Sequence, residues 1–583
     1  MDRYLKLFPP TYNKRRESKF SCAAFAFVQI YITISILSIT SLVQADSPQP
    51  NYSLPAADIP GIPLGNNDSD SYPNTEYAKI LAYSLYFYEA QRSGKLPPDN
   101  RVPWRHDSAL QDGQDVGLNL TGGYYDAGDY LKFTLPLSWV ITSLSWGILD
   151  WGKGYQLANQ SQYVHDMIKW GTDWLIKAHP DQNTLYAMIG LVSVDNNYWG
   201  PDNNIPLPRP SFKVNSSAHG TDVAGETAAA FAASSLVFRN FYNESSYADI
   251  LLSHAINAYA FAESTPFVLY QNSIPQVKEA YASTNYADEL VWGALWLHRA
   301  NNNGTSYLNK AIDYFNANSL AGQNNIVNWD DKTGAVYVLL AQLVQQSGQD
   351  ASKWKAEAER YLDGIVTQST DCSLTKGGLL WCGGDSTSAS LNPALNAAYL
   401  LLNYAPYATS PDKAQRYRDF AISQIDYTLG KNPMRTPYVI GVHPNSPQNP
   451  HHAGASGGID ITNLNNPSET KYVLYGGLVG GPDKKDNFDD DRSDYSQTEV
   501  ALDYNAPFQN LMAYQVINSH IDPYYVSVPP GRPAPRKEGL STVFIAILAV
   551  AGLFTIVAVI ILFSERKRIS SWWKDLRLKR SQT

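Results

Sequence analysis

The sequence predicts an all-α fold, an (α/α)6 barrel of six helical hairpins followed by one C-terminal transmembrane helix. Three observations predict it. Twelve segments between residues 75 and 519 repeat apolar residues at helical spacing, and convincing strands are nearly absent. No Pro/Gly/Ser-rich linker interrupts residues 74–526, so the twelve belong to one large domain. A charge-free run of 22 residues, Thr542 to Phe563, stands apart near the C-terminus and is long enough to cross a bilayer. Helices joined by unequal loops pair into hairpins and close as a ring, and the loops at one end of a ring form a groove.

In chain order, residues 1–45 place Lys14, Arg15, Arg16 and Lys19 ahead of an apolar run, Phe20 to Val43, that ends in the small-x-small pattern Val43-Gln44-Ala45. This reads as a secretory signal peptide or, uncleaved, a signal anchor. Residues 46–73 are a polar lead-in. The first helix, Thr75 to Arg92, aligns Leu81, Leu85 and Tyr88 on one face and stops at Gly94 and Pro97. Others are expected near 135–150, 163–178, 222–239, 246–264, 285–300, 305–318, 329–347, 352–368, 390–404, 411–429 and 496–519. The last is opened by a capping box, Ser496-Gln497-Thr498-Glu499. Lys471 to Tyr475 is the best strand candidate. Residues 527–541 are a Pro-rich juxtamembrane spacer, 542–563 the membrane span and 564–583 a basic tail. Arg566, Lys567, Arg568, Lys574, Arg577, Lys579 and Arg580 follow the span, and basic residues stay on the cytoplasmic side. The expectation is a single-pass type I protein of the plasma membrane with its large domain outside.

Charge and cysteine usage agree with an extracellular domain. Residues 1–19 carry +4 and residues 565–583 carry +5, which leaves −18 on the middle of a chain whose net charge is −9. So acidic a domain excludes DNA and RNA as partners, because phosphate binding needs a basic field. Aromatics make up 12% of the chain, a content that suits a surface stacking on sugars or bases. Asn51, Asn67, Asn119, Asn159, Asn215, Asn243 and Asn303 each open an Asn-x-Ser/Thr sequon. After signal removal Cys372 and Cys382 are the only cysteines, either a local disulfide or two free thiols.

Three non-helical stretches carry the candidate chemistry. In Thr121 to Phe133, Asp126 and Asp129 flank Ala-Gly just before a helical run. Two carboxylates three apart in a turn can hold a water and take its proton, or they can cap the helix. In Gly480 to Ala506, seven acids fall between Asp483 and Glu499, as a solvated acidic loop or a calcium loop without assignable ligands. Glu499 is either a capping residue or, if burial raises its pKa, a general acid. In Gly441 to Asp460, Gly454-Ala455-Ser456-Gly457-Gly458 has the letters of a serine-hydrolase elbow but not its strand-to-helix context. The adjacent His451 and His452 have no His or Cys at metal-ligand spacing, so no zinc is expected.

Taken together, these stretches resemble glycoside hydrolase family 9, the inverting cellulases built on a six-hairpin helical barrel. Phe488, Asp490, Tyr495, Glu499, Ala501, Asn505 and Ala506 fill every fixed position of that family's C-terminal signature. GGYYDAGDYLKF is similar to its N-terminal motif, and further similar stretches include KLPPDNRVPWRHDSAL (95–110), GTDVAGETAAAFAASS (220–235) and NWDDKTG (328–334), so the likeness spans residues 75–520. The Tyr after the Asp-Ala-Gly-Asp motif, together with the membrane anchor, looks most like the fungal branch. The resemblance implies Glu499 as general acid, Asp129 as general base and Asp126 as the carboxylate that orients the water. It adds Asp490 and His451 to the catalytic set, and Trp199, Trp329, Tyr504 and Tyr125 as substrate-binding aromatics. It implies hydrolysis of internal β-1,4 bonds in cellulose or related β-glucans, with no cofactor. The sequence departs at Ala453, where the family has Arg, and at Asn196, where it has His, which bears on contacts to the sugar. The other reading is a glucan-binding or wall-attachment protein of weak activity. Trp292 and Trp296, four apart on one helix, read as core.

Overall fold

The computed structural model describes residues 74–301, 305–533 and 542–581. The predicted signal or anchor (1–45), the polar lead-in, Asn51, Asn67 and Asn303 lie outside the described residues. All twelve predicted barrel helices form: α1 (Thr75–Ala90), α2 (Thr134–Leu157), α3 (Ser161–Ala178), α4 (Thr221–Asn240), α5 (Ser245–Ala262), α6 (Ala287–Ala300), α7 (Thr305–Ala317), α8 (Thr333–Gln346), α9 (Ser352–Thr367), α10 (Leu391–Tyr404), α11 (Pro411–Thr428) and α12 (Leu502–Asn518). A last helix, α13, spans Thr542–Arg580.

The even-numbered helices form the inner ring. α2 packs on α4, α4 on α6, α6 on α8, α8 on α10, α10 on α12, and α12 closes on α2. Each odd-numbered helix from α1 to α11 backs an inner one. Sequence explains the two layers. Inner α4 is buried from Thr221 to Phe238 on all its faces, and small residues (Ala228, Ala229, Ala230, Ala232, Ala233) let its neighbours approach. Outer α3 buries only one side (Val164, Met167, Ile168, Gly171, Thr172, Trp174, Leu175, Ala178) and turns its other side to water. Trp146, Trp292, Trp296 and Tyr399 fill the barrel interior with ring centroids 5.6–5.8 Å apart. Trp292 and Trp296 are fully buried, as read from their spacing.

Strands are short and sit at the loop ends. β1 (Lys132–Phe133), β2 (Thr184–Ile189) and β3 (Ser211–Asn215) make an antiparallel sheet in the order β1-β2-β3, with Lys132 opposite Ile189. β4 (Cys372–Leu374) and β5 (Leu380–Cys382) form a hairpin with Cys372 opposite Cys382, and these two cysteines are disulfide-bonded. The strand expected at Lys471 to Tyr475 does not form. Its amides at Lys471 and Tyr472 donate to the Ser456 and Ala455 carbonyls, one turn of a neighbouring loop, so no ladder extends from it. The predicted spacer is docked at its start: Val528 is buried, Asn445 donates to Pro529 O, and Arg532 pairs with Asp490 at 2.7 Å. The apolar run 542–563 falls on α13, with the side chains of its first half outside the described residues. Among the described residues, no helix is long and apolar enough to cross a membrane. Asn119, Asn159 and Asn243 are exposed, whereas Asn215 is half-buried and its side-chain oxygen accepts from Ser217 and Ala218.

Candidate active site

Gly128 joins the three candidate stretches. A Cβ there would sit 2.0 Å from the His451 carbonyl oxygen, so only glycine permits this approach. Gly128 O accepts from Ala453 N at 2.7 Å, and Gly128 N donates to Glu499 Oε1 at 3.4 Å. His451 pairs in parallel with Glu499 through the backbone, its N–H donating to Thr498 O. Leu502 N, opening α12, donates to Asp126 O. Residues far apart in sequence are thereby locked around one point.

A cavity of ≈ 720 Å³ opens there. Asp126, Asp129, His451, Glu499, Trp199, Trp329 and Tyr504 all line it. Two predicted residues do not. Asp490 turns away, accepting from the Gln448 and Asn449 amides and from Arg532, so it fixes the loop that carries His451. Tyr125 is buried beneath the site, donating to Ser108 Oγ and packing edge-on against Tyr130. Trp199 reaches the cavity but is 3% exposed, its ring 4.8 Å from that of His451. Asn196 is exposed at the wall, whereas Ala453 is buried in a cluster with Tyr125, Tyr130 and Trp199.

The capping-box reading of Glu499 is corrected. Glu499 follows a one-turn helix, Tyr495–Thr498, with extended backbone (φ −68°, ψ 149°), and α12 begins at Leu502. The carboxyl is freed from the helix terminus and faces the cavity. Ser456, the elbow serine, is fully buried and donates to Ala453 O, so it attacks nothing. His452 Nδ1 accepts from Ala455 N while Nε2 faces Gln91 Oε1, and burial pulls its pKa down to about 3, which makes it a neutral brace. His451 Nδ1 faces the Arg492 carbonyl at 2.8 Å, so that nitrogen carries the proton. Burial lowers its pKa too. In the acidic loop, Asp483 and Asp491 are engaged by amides of their own turns. Among the described residues, no cluster of three or more His, Cys, Asp or Glu could hold a metal ion.

The electrostatics are those of carboxyls without cationic partners. Burial, then the Asp129 charge, raises Glu499 well above the ordinary 4.5. Asp126 is raised well above 3.8 by burial, against a hydrogen bond from the Tyr281 hydroxyl. Asp503 is pushed to about 7 by burial, its Oδ2 accepting from Asn392 Nδ2 at 2.6 Å. Asp195 is raised by burial and then by the charge of the neighbouring Asp129. Sequence reasoning missed Asp195, Tyr281, Asp503 and Asn392, all of which line the cavity. Asp195 stands next to Asn196 and Asp503 next to Tyr504, so both were adjacent to recognised positions. Tyr281 and Asn392 carry no local signal.

Comparison with known proteins agrees with this architecture. The profile of Glycosyl hydrolase family 9 matches residues 77–512. Endoglucanase A of Bacillus pumilus is 40% identical over 461 residues, 78% of this chain and 68% of that protein. Endoglucanase 13 of Arabidopsis thaliana is 39% identical over 473 residues, 76% of this chain and 93% of that protein. Among solved structures, the endoglucanase of the termite Nasutitermes takasagoensis superposes with a TM-score of 0.70 at 41% identity, covering 76% of this chain and 99% of that one. A Clostridium thermocellum endoglucanase complexed with cellobiose and cellotriose gives 0.67 at 30% identity, covering 80% of this chain and 74% of that one. With a family match over three quarters of its length and relatives at this identity, the chain belongs to glycosyl hydrolase family 9 and is a glycoside hydrolase.

Proposed function

We propose that the chain is an inverting endo-β-1,4-glucanase acting on cellulose or related β-glucans. The observation that carries this reading is that Glu499, Asp129 and Asp126 line one cavity, where burial and the Asp129 charge raise the Glu499 pKa. Glu499 donates its proton to the departing glycosidic oxygen. Asp129 takes a proton from the water that attacks the anomeric carbon from the opposite face, and Asp126, oriented by Tyr281, aligns that water. Trp329, half-buried at the wall, and Tyr504 stack on glucosyl rings. Inversion requires the two carboxyls to leave room for a water between them and the sugar.

The test uses the full-length chain in detergent. Glu499→Gln lowers reducing-sugar release from carboxymethyl-cellulose by about 10²–10⁴-fold without lowering the melting temperature. Products of the unaltered chain are α-anomers by proton NMR at early times. Undiminished release by the variant removes Glu499 from its role, and β-anomers overturn inversion. A wild-type chain that binds cellulose and releases nothing would favour the glucan-binding reading, which Ala453 and Asn196 motivate.

The same reading places the enzyme at the cell surface. Ile556, Val557, Val559, Ile560, Ile561, Leu562 and Phe563 on α13 are all exposed, an apolar surface that suits a bilayer. The basic residues that follow suit its cytoplasmic side. Carbonate-resistant membrane association that is lost on deleting residues 542–583 tests the anchor.

A further inference from the structure

The pairing of β1 with β2 has a consequence at the cavity. β1 begins just after Asp129, and β2 ends just before the one-turn helix Val192–Asp195. The register Lys132↔Ile189 therefore carries the two aspartates toward each other. Asp195 Oδ2 accepts from the amide of Tyr130, the residue after Asp129, at 3.4 Å, and both aspartates line the one cavity. Two carboxylates are both acceptors only, so a bond between them requires one proton. Like charges in contact do not both ionise.

We infer that Asp195 is a positioning residue for the base: as a neutral carboxylic acid it donates a hydrogen bond to Asp129, holding that carboxylate ionised and aimed at the water. The inference rests on the assignment of Asp129 as base in the proposed function. Placement decides which aspartate keeps the proton. Asp195 is 5% exposed, whereas Asp129 is half-buried and opens to the cavity. The charged and titratable groups around the pair do not favour a second charge on Asp195. Asp126 and Glu499 are acids of the same cavity. His451 is held neutral by burial. Tyr198 stands beside Asp195 as a neutral phenol. The cation that acts on Asp195, Arg209, spends its guanidinium on Asp112 at 2.8 and 3.2 Å and on Tyr130 O.

The experiment compares Asp195→Asn with Asp195→Leu in the full-length chain. The asparagine amide still donates to Asp129, so its kcat should stay within about threefold of wild type, with the acid limb of kcat/KM in place. Leucine fills similar space without a donor, so kcat should fall about 10-fold or more, KM should hold, and the acid limb should move up by about one pH unit. Equal losses in the two variants, or a leucine variant whose acid limb stays put, overturn the inference. Should the leucine variant fail to fold, infrared difference spectra decide: the protonated-carboxyl band of wild type at neutral pH must diminish in Asp195→Asn, and an unchanged band overturns the inference. Failure of the underlying reading looks different, because Asp129→Asn would then remain active.

Discussion

Asp112 and Asp126 lie in the same loop, 2% and 5% exposed, and have opposite fates. Asp112 meets Lys132 Nζ at 2.6 Å and Arg209 at 2.8 Å. Burial alone would raise its pKa, but the two cations overcome this and lower it. Asp126 has no cation. It accepts from the Tyr281 hydroxyl, and its charged neighbours, Asp503 and Asp129, share its sign. A third buried cluster, inside the barrel, is intermediate: Lys332 Nζ lies 2.9 Å from Glu289 and 3.6 Å from Glu226, but one cation shared by two carboxyls leaves burial ahead, and both stay raised. Buried carboxyls compensated by a cation hold the fold. The uncompensated ones that line the cavity cost stability and keep protons available for chemistry.

The comparison breaks most visibly by mutating one member of each pair. Lys132→Met leaves Asp112 short of a buried partner and should cost about 3–5 kcal/mol in urea unfolding. Asp126→Asn removes an uncompensated carboxyl, so its unfolding midpoint should stay or rise while kcat falls about 10²-fold or more. If Asp126→Asn were as destabilising as Lys132→Met, the distinction between structural and chemical carboxyls would collapse.

How much of this was legible in the sequence follows from the range of each interaction. The helices were legible because periodicity is local: a stripe on α3 and small apolar residues throughout α4 declare outer and inner positions. Asp126, Asp129 and Glu499 were legible only through resemblance, since spacing alone also fitted caps. The Ser496–Glu499 pattern misplaced a helix start because the backbone of Glu499 is captured by His451, 48 positions earlier in the chain, a pairing no local pattern encodes. Asp490 fitted a signature but serves backbone amides. The approach of Asp195 to Asp129 depends on a register between a two-residue strand and a distant one, below the reach of any periodicity argument.

A smaller effect separates the clusters by pH. Asp503, 3% exposed, is raised from 3.8 to about 7. The sign follows from linkage: a group raised in the folded state contributes stability that is fully present below its unfolded pKa and lost as pH rises through the folded value. Wild type should therefore lose stability between about pH 4 and 7 through Asp503. Asp503→Asn, which cannot ionise and can still accept from Asn392, should escape about 2–4 kcal/mol of that loss. Urea melts at both ends of the window measure it. A pH dependence identical in variant and wild type would mean that Asp503 is not an uncompensated acid. Asp112, lowered in the fold, has the opposite sense, its contribution being lost as pH falls.

The smallest expected effect lies at Tyr281, which touches both the binding and the chemical side of the cavity. Its ring stands edge-on to Trp329, centroids 4.8 Å apart, and packs on Phe133 at 4.9 Å. Its hydroxyl reaches Asp126. Trp329 is itself fixed from behind, since buried Lys332 donates to its carbonyl. Tyr281→Phe keeps the ring, and with it the support of Trp329, but removes the donor from Asp126. KM for glucan chains should then hold while kcat falls about 10-fold, the size of one hydrogen bond to a buried carboxyl. Trp329→Ala should do the reverse, raising KM through lost stacking. A Tyr281→Phe variant with raised KM and normal kcat would assign the hydroxyl to sugar binding, and Asp126 would then be aligned by some other contact.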